Sequence, residues 1–290
     1  MDQANRLRNL MNTKNIEKTF SFKNRLITIT SGKGGVGKSN FTLNLAICLS
    51  QLGNKVAIID ADFGMANIEV LFGVVPGKSL LNVLRGENTI EEVVITGPAG
   101  VSLVSGGSGF TDLAALNEKQ IDFFLESFTY LDANYDIILI DTGAGASHQV
   151  INMVKASRET IIITTPEPTA LTDAYAMIKI LKSLKTMPEM FIVINRIDKQ
   201  REGDEVYMKL NRVSNRFLGL ELKLLGYIPN DDYLLKAVKK QEPLSLLYPK
   251  SPAAKSIQDI CNGIVNSDNP FATGSGTKSF MDRFLSLFGR

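Results

Sequence analysis

Leu26-Ile27-Thr28-Ile29-Thr30-Ser31-Gly32-Lys33-Gly34-Gly35-Val36-Gly37-Lys38-Ser39 is the stretch on which the fold turns. A β-branched run enters a glycine-rich turn, and a helical pattern over Phe41–Leu52 follows. Gly32 to Ser39 satisfies GxxxxGK[ST], the phosphate-binding loop between a strand and a helix. Its glycines let successive backbone N–H groups turn toward one anion, and the helix N-terminus adds partial positive charge. Gly34, Gly35, Val36, Gly37, Lys38, Ser39 and Asn40 are therefore the candidate phosphate contacts. Lys38 reaches the terminal phosphates in this pattern, and the Ser39 hydroxyl holds Mg²⁺.

The same residues also spell GxGxxG, with Asp60 at the distance of a ribose-binding acid in a dinucleotide fold. What surrounds the motif decides against that reading. A dinucleotide site has no use for Lys38-Ser39, nor for a second apolar strand, Ile137–Ile140, that runs into Asp141.

Outward from this point, β-branched runs at Leu26–Thr30, Val56–Asp60, Val101–Val104, Ile137–Ile140, Thr160–Thr164, Phe191–Ile194 and Leu222–Tyr227 alternate with helical segments. The helical patterns are Phe41–Leu52, Glu118–Tyr130, Thr169–Lys185 and Glu205–Phe217. Near-continuous apolar strands separated by helices predict an α/β doubly wound, mostly parallel sheet flanked by helices over residues 24–266. A basic segment, 1–23, precedes it, with a short helix expected over Asp2–Met11. A turn-rich linker, 267–277, and a terminal segment, 278–290, follow it.

Composition bounds the function. With 44% hydrophobic and 21% charged residues in 290, the chain is a folding one. No apolar run reaches the ~18–20 residues of a membrane-crossing helix, and no leader is expected, so a cytoplasmic protein is anticipated. Cys48 and Cys261 are far apart in sequence and His148 is the sole histidine, which leaves little for a metal ladder or a Ser-His-Asp triad. The net charge of +2 is concentrated at the two ends, so the body is mildly acidic. That distribution speaks against nucleic acid as a partner.

Lys33, directly after the first glycine, gives Lys33-Gly34-Gly35-Val36-Gly37-Lys38-Ser39, and this resembles the deviant phosphate loop of the MinD/ParA ATPases. The resemblance implies ATP/ADP and Mg²⁺ as cofactors, ATP hydrolysis, and a nucleotide-sandwich homodimer in which Lys33 reaches the partner's phosphates. Asp60-Ala61-Asp62-Phe63-Gly64-Met65-Ala66-Asn67 looks like the family's first switch. Asp62 would then polarise the attacking water, Asp60 would support the Mg²⁺ network, and Asn67 would lie near the dimer interface. Asp141-Thr142-Gly143-Ala144-Gly145 looks like the second switch, with Gly143 where the family more often has proline. The match makes Lys33, Lys38 and Asp62 the catalytic set, and Ser39, Asp60 and Asp141 the metal set. Asn195-Arg196 resembles the adenine-reading pair, and Pro229-Asn230-Asp231 the loop that closes over the base.

The ends refine the resemblance. On a helical wheel, Phe280, Met281, Phe284, Leu285, Leu287 and Phe288 fall within an arc of about 160°. Lys278, Asp282, Arg283 and Ser286 take the remainder, the pattern of an in-plane membrane anchor. Amphipathicity alone leaves docking on the body, or on a partner, open. Asp2-Gln3-Ala4-Asn5-Arg6-Leu7-Arg8 resembles the DQAxxLR motif of the flagellar-number regulators (FlhG, YlxH, FleN). In that family Asp2, Gln3, Leu7 and Arg8 would belong to a helix that stimulates the GTPase FlhF, with flagellar switch-complex (C-ring) proteins as further partners. The expectation is an ATP-switched dimer at the inner face of the cell membrane. The alternatives are a division-site MinD, a ParA-type partitioning ATPase and an iron–sulfur carrier of the same fold, the last requiring paired cysteines.

Overall fold

The computed structural model describes residues 24–62, 68–107, 116–184, 187–266 and 276–286. Strand β1 (Arg25–Ser31) leads through the glycine loop into α1 (Lys38–Gln51). There follow β2 (Val56–Ala61), the short helices α2 (Ile68–Phe72), α3 (Leu80–Leu84) and α4 (Ile90–Val93), β3 (Ile95–Thr96) and β4 (Ser102–Val104). The second half runs α5 (Glu118–Asn134), β5 (Ile137–Ala144), α6 (His148–Ala156), β6 (Glu159–Thr164), α7 (Pro168–Lys182), β7 (Glu189–Ile197), α8 (Gln200–Leu218) and β8 (Lys223–Pro229). Helices α9 (Asp232–Lys240), α10 (Leu244–Leu247), α11 (Pro252–Asn266) and α12 (Gly276–Ser286) complete it.

The eight strands lie in the order β3-β4-β2-β5-β1-β6-β7-β8, parallel except for β3 against β4. The doubly wound sheet expected from the strand pattern is the one observed. Burial on both faces explains the apolar runs. Ile27, Ile29, Leu139 and Ile161 point into one core with α1 and α11. Leu26, Ile138 and Ile140 point into the opposite one with α5. Farther along that second face, Ile162, Ile192 and Ile194 pack with α6, α7 and α8. Because β1 lies between β5 and β6, the chain reverses direction of winding there, and the crevice at the strands' carboxyl ends falls on the glycine loop.

The last helix departs most from expectation. It starts at Gly276, inside the stretch anticipated as linker, and it is seated on the body between α5, α6 and β1. Phe280 and Phe284 are fully buried, with Met281 and Leu285 packed at the same core's margin. Phe280 stacks on Phe128 at 4.6 Å between ring centroids. Arg283 donates from Nη1 to the Ser157 carbonyl at the end of α6, 2.9 Å away. Burying each phenylalanine contributes about 1.5–3 kcal/mol to this seat. The apolar stripe that the sequence reads as a lipid-facing surface is thus matched here to the protein's own core. Leu287 and Phe288 lie outside the described residues, as do Asp2, Gln3, Leu7 and Arg8.

Candidate nucleotide-binding site

The loop's geometry follows from its glycines. Gly35 and Gly37 hold φ of 78° and 92°, conformations that cost a side-chain-bearing residue dearly. At Gly32 a Cβ would sit 2.3 Å from the Asp173 backbone, because α7 crosses directly beneath the loop.

Lys38 and Ser39 open α1, and both point at Asp141, the residue that the sequence pairs with them as metal support. Lys38 Nζ lies 2.9 Å from Asp141 Oδ2, and Ser39 Oγ donates to the same oxygen at 2.6 Å. Asp141 is 1% exposed and Lys38 7%, so this is a buried ion pair, tolerable because its oxygens are saturated by donors. Thr42 completes the set: its hydroxyl donates to Asp141 Oδ1 at 2.8 Å. Sequence reasoning missed Thr42, although its position one turn after Lys38 on the same helix face was a usable signal.

Asp60, next to last in β2, lies beside Asp141, with which it is in register across the β2–β5 pair. Burial first, and then the neighbouring Asp141 charge, push its carboxyl up to about 7. Its oxygens accept from the Asp62 amide (3.0 Å) and the Ile68 amide (3.3 Å). Asp62 is half-buried, and a Cβ on Gly143 would lie 3.6 Å from its Oδ1. Asn67 falls outside the described residues.

A hydroxyl beside two buried carboxylates is an oxygen donor set suited to a hard divalent cation, and the surplus negative charge at Asp60 and Asp141 fits one. No cluster of three or more His, Cys, Asp or Glu side chains arranged for a metal occurs among the described residues. Ser39, Asp141 and Asp60 would therefore hold Mg²⁺ together with nucleotide phosphates, the usual habit of that ion. When bound it supplies charge neutralisation at the phosphates.

Lys33 is held within its own chain. Its Nζ contacts Glu167 Oε2 at 2.9 Å and Thr169 Oγ1 at 2.8 Å, at the start of α7. The lysine in turn keeps the Glu167 carboxyl below its ordinary range. Glu167 and Thr169 carry no motif, and only the fold brings them to the loop.

Asn195 is buried near the end of β7, and Arg196 is exposed with φ of 59°. Pro229 is half-buried at the end of β8. Asp231 accepts from the Tyr233 and Ala253 amides, both at 2.9 Å, so its carboxylate ties the starts of α9 and α11 together. His148 opens α6 on the surface, and Cys48 and Cys261 are buried free thiols, with burial pushing the Cys261 thiol up to about 12.

A deviant phosphate loop at the switch point of a parallel sheet, backed by a carboxylate from the neighbouring strand, defines a MinD/ParA-type P-loop ATPase. The chain belongs to the ParA family: residues 23–265 match the family described as NUBPL iron-transfer P-loop NTPase. It is 38% identical to the flagellum site-determining protein YlxH of Helicobacter pylori over 99% of both chains. It is 34% identical to the antiactivator FleN of Pseudomonas aeruginosa over 90% of this chain and 93% of that one. Among solved structures, the septum site-determining protein MinD of Pyrococcus horikoshii, complexed with Mg-ADP, superposes with a TM-score of 0.69 at 25% identity, covering 86% of this chain and 99% of that one.

Proposed function

We propose that this ATPase is a regulator of flagellar number and placement, a switch whose ATP-bound dimer exposes α12 to the membrane and whose N-terminus stimulates the GTPase FlhF. The observation that carries the switch is the seating of α12. An ATPase whose amphipathic tail is folded onto its own core has two places to put that tail. Arg283 sharpens the choice: burial, and then the neighbouring Arg158, disfavour its charge where it docks. An anionic lipid surface offers the same guanidinium a favourable counter-charge. No described helix is long and apolar enough to cross a membrane, so contact through an in-plane helix is the mode available to the described part of the chain.

When nucleotide binds, its phosphates would replace Asp141 as the partner of Lys38, and Ser39, Asp141 and Asp60 would hold Mg²⁺. Lys33 leaves Glu167 and Thr169 to reach the second protomer's phosphates, neutralising charge that builds on the transferring group. Asp62 orients the attacking water. Two tails on one dimer then bind with multiplied avidity, because the second insertion is intramolecular.

The flagellar assignment is supported by the likeness to YlxH along the length of both chains and by Asp2–Arg8. The buried, high-lying thiols do not support iron–sulfur carriage. GTP hydrolysis by purified FlhF tests the assignment, measured alone and with wild type, Gln3→Ala and a deletion of residues 2–11. Stimulation by wild type that disappears in both variants is expected. No stimulation by wild type would favour the division-site reading.

A further inference from the structure

We infer that Asn195 is a positioning residue for the phosphate loop, aiming the Gly37 amide at the nucleotide's phosphates, in addition to any contact with the base. Asn195 is 3% exposed, and its Nδ2 donates to the Val36 carbonyl at 2.7 Å. The other end of the amide is fixed as well: Oδ1 accepts the Arg196 amide at 2.9 Å. That bond goes with a break in the β7–β8 register between Asn195 and Ile197 and with the left-handed φ of 59° at Arg196. The bulge turns residue 196 outward while holding 195 inward. The side chain is thus clamped at both ends.

The consequence for the loop follows from peptide planarity. The Val36–Gly37 bond is trans, so its C=O and N–H point in opposite directions from one rigid plane. Pinning the Val36 oxygen to Asn195 turns the Gly37 N–H the other way, toward the concave side where a phosphate-binding loop gathers its amides. The loop has no slack at this point. Gly37 stands at φ of 92°, and a Cβ there would lie 2.4 Å from Asn195 Nδ2. Val36 is itself buried, so without Asn195 its carbonyl loses a partner that water does not readily replace. The plane is then free to rotate and carry the Gly37 amide off its aim.

Magnesium tripolyphosphate, which carries phosphates and no base, separates this role from base reading. Its affinity is measured by calorimetry for wild type, Asn195→Ala and Asn195→Asp, with adenosine as the phosphate-free counterpart. Losing a donor to a buried carbonyl should weaken tripolyphosphate binding at least about fivefold in Asn195→Ala. Asn195→Asp should weaken it further, because a carboxylate would face the Val36 oxygen. Unchanged tripolyphosphate affinity in both variants, with losses confined to adenosine, would overturn the inference. Should neither variant melt cooperatively, wild type labelled with ¹⁵N-glycine decides. The Gly37 amide resonance should move on adding tripolyphosphate, and a Gly37 resonance that stays in place would refute the role.

Discussion

Phe284 lies stacked on Phe124, ring centroids 4.2 Å apart and planes 19° from parallel, joining the last helix to α5. Phe280 and Phe128 extend the contact into one aromatic cluster. Departure of α12 would strip two buried rings from it, so in the proposed switch the seat and the membrane would compete for the same side chains. Phe284→Ala should therefore lower the unfolding free energy by about 3–5 kcal/mol. Phe284→Leu, which keeps an apolar group there, should cost less than half of that. Equal, negligible losses in urea titrations would mean that the helix is not seated in solution.

In the proposed dimer, Lys33 is the second element with two places to be. Its ion pair with Glu167 is solvent-exposed on both sides, and such pairs contribute ~0–1 kcal/mol. Glu167→Gln should leave stability almost unchanged and raise the dimer fraction at a given ATP concentration, because the lysine is freed. Lys33→Ala should retain ATP binding and lose dimerisation. Analytical ultracentrifugation with ATP and with ADP reads both, and an unaltered dimer in Lys33→Ala would remove the lysine from the interface.

Asp141 answers a different question, since Lys38, Ser39 and Thr42 all converge on it. Asp141→Ala leaves Lys38 as a buried charge without its counterpart, and breaking such a pair costs about 3–5 kcal/mol. Asp141→Asn should cost less, because the hydroxyls keep an acceptor. Both should abolish ATP hydrolysis, which a phosphate-release assay would show.

Asp60 sets a pH dependence in the nucleotide-free protein. Its carboxyl is raised to about 7 by burial and by Asp141, so the folded state binds a proton that the unfolded chain releases near pH 4. The stability this contributes is complete below that pH and is lost as pH rises through 7. Asp60→Asn, neutral at every pH, should flatten the fall in melting temperature between pH 5 and 8. A wild-type profile as flat as the variant's would contradict the assignment.

Glycines at two neighbouring places should behave oppositely. Gly32→Ala drives a Cβ into the Asp173 backbone and should cost at least the ~1–3 kcal/mol of an overpacked core. Gly143→Ala meets only ordinary contacts, 3.6–3.7 Å from Asp62 and Val150, and should be tolerated without loss of fold. Chemical denaturation of the two variants separates them.

What could be read in the chain and what could not have physical reasons. Leu26 to Ser39 and Ile137 to Asp141 were legible because strand, glycine turn and acid are each local and agree with one another. Thr42 was one helical turn from the motif and could have been found. Glu167 and Thr169 could not, since only the crossing of α7 beneath the loop brings them to Lys33. Strand β3 is two residues long and antiparallel, too short to carry a period. For α12 the wheel gave the apolar face but not its partner, and Phe124 and Phe128 lie some 150 residues earlier in the chain.

In the proposed switch, nucleotide state decides where α12 sits. Sedimentation with anionic liposomes tests it most directly, using wild type, Lys33→Ala and a deletion of residues 278–290, each with ATP and with ADP. Only wild type with ATP should enter the lipid pellet. Equal pelleting of wild type with ADP, or ATP-dependent pelleting of the deletion, would contradict it.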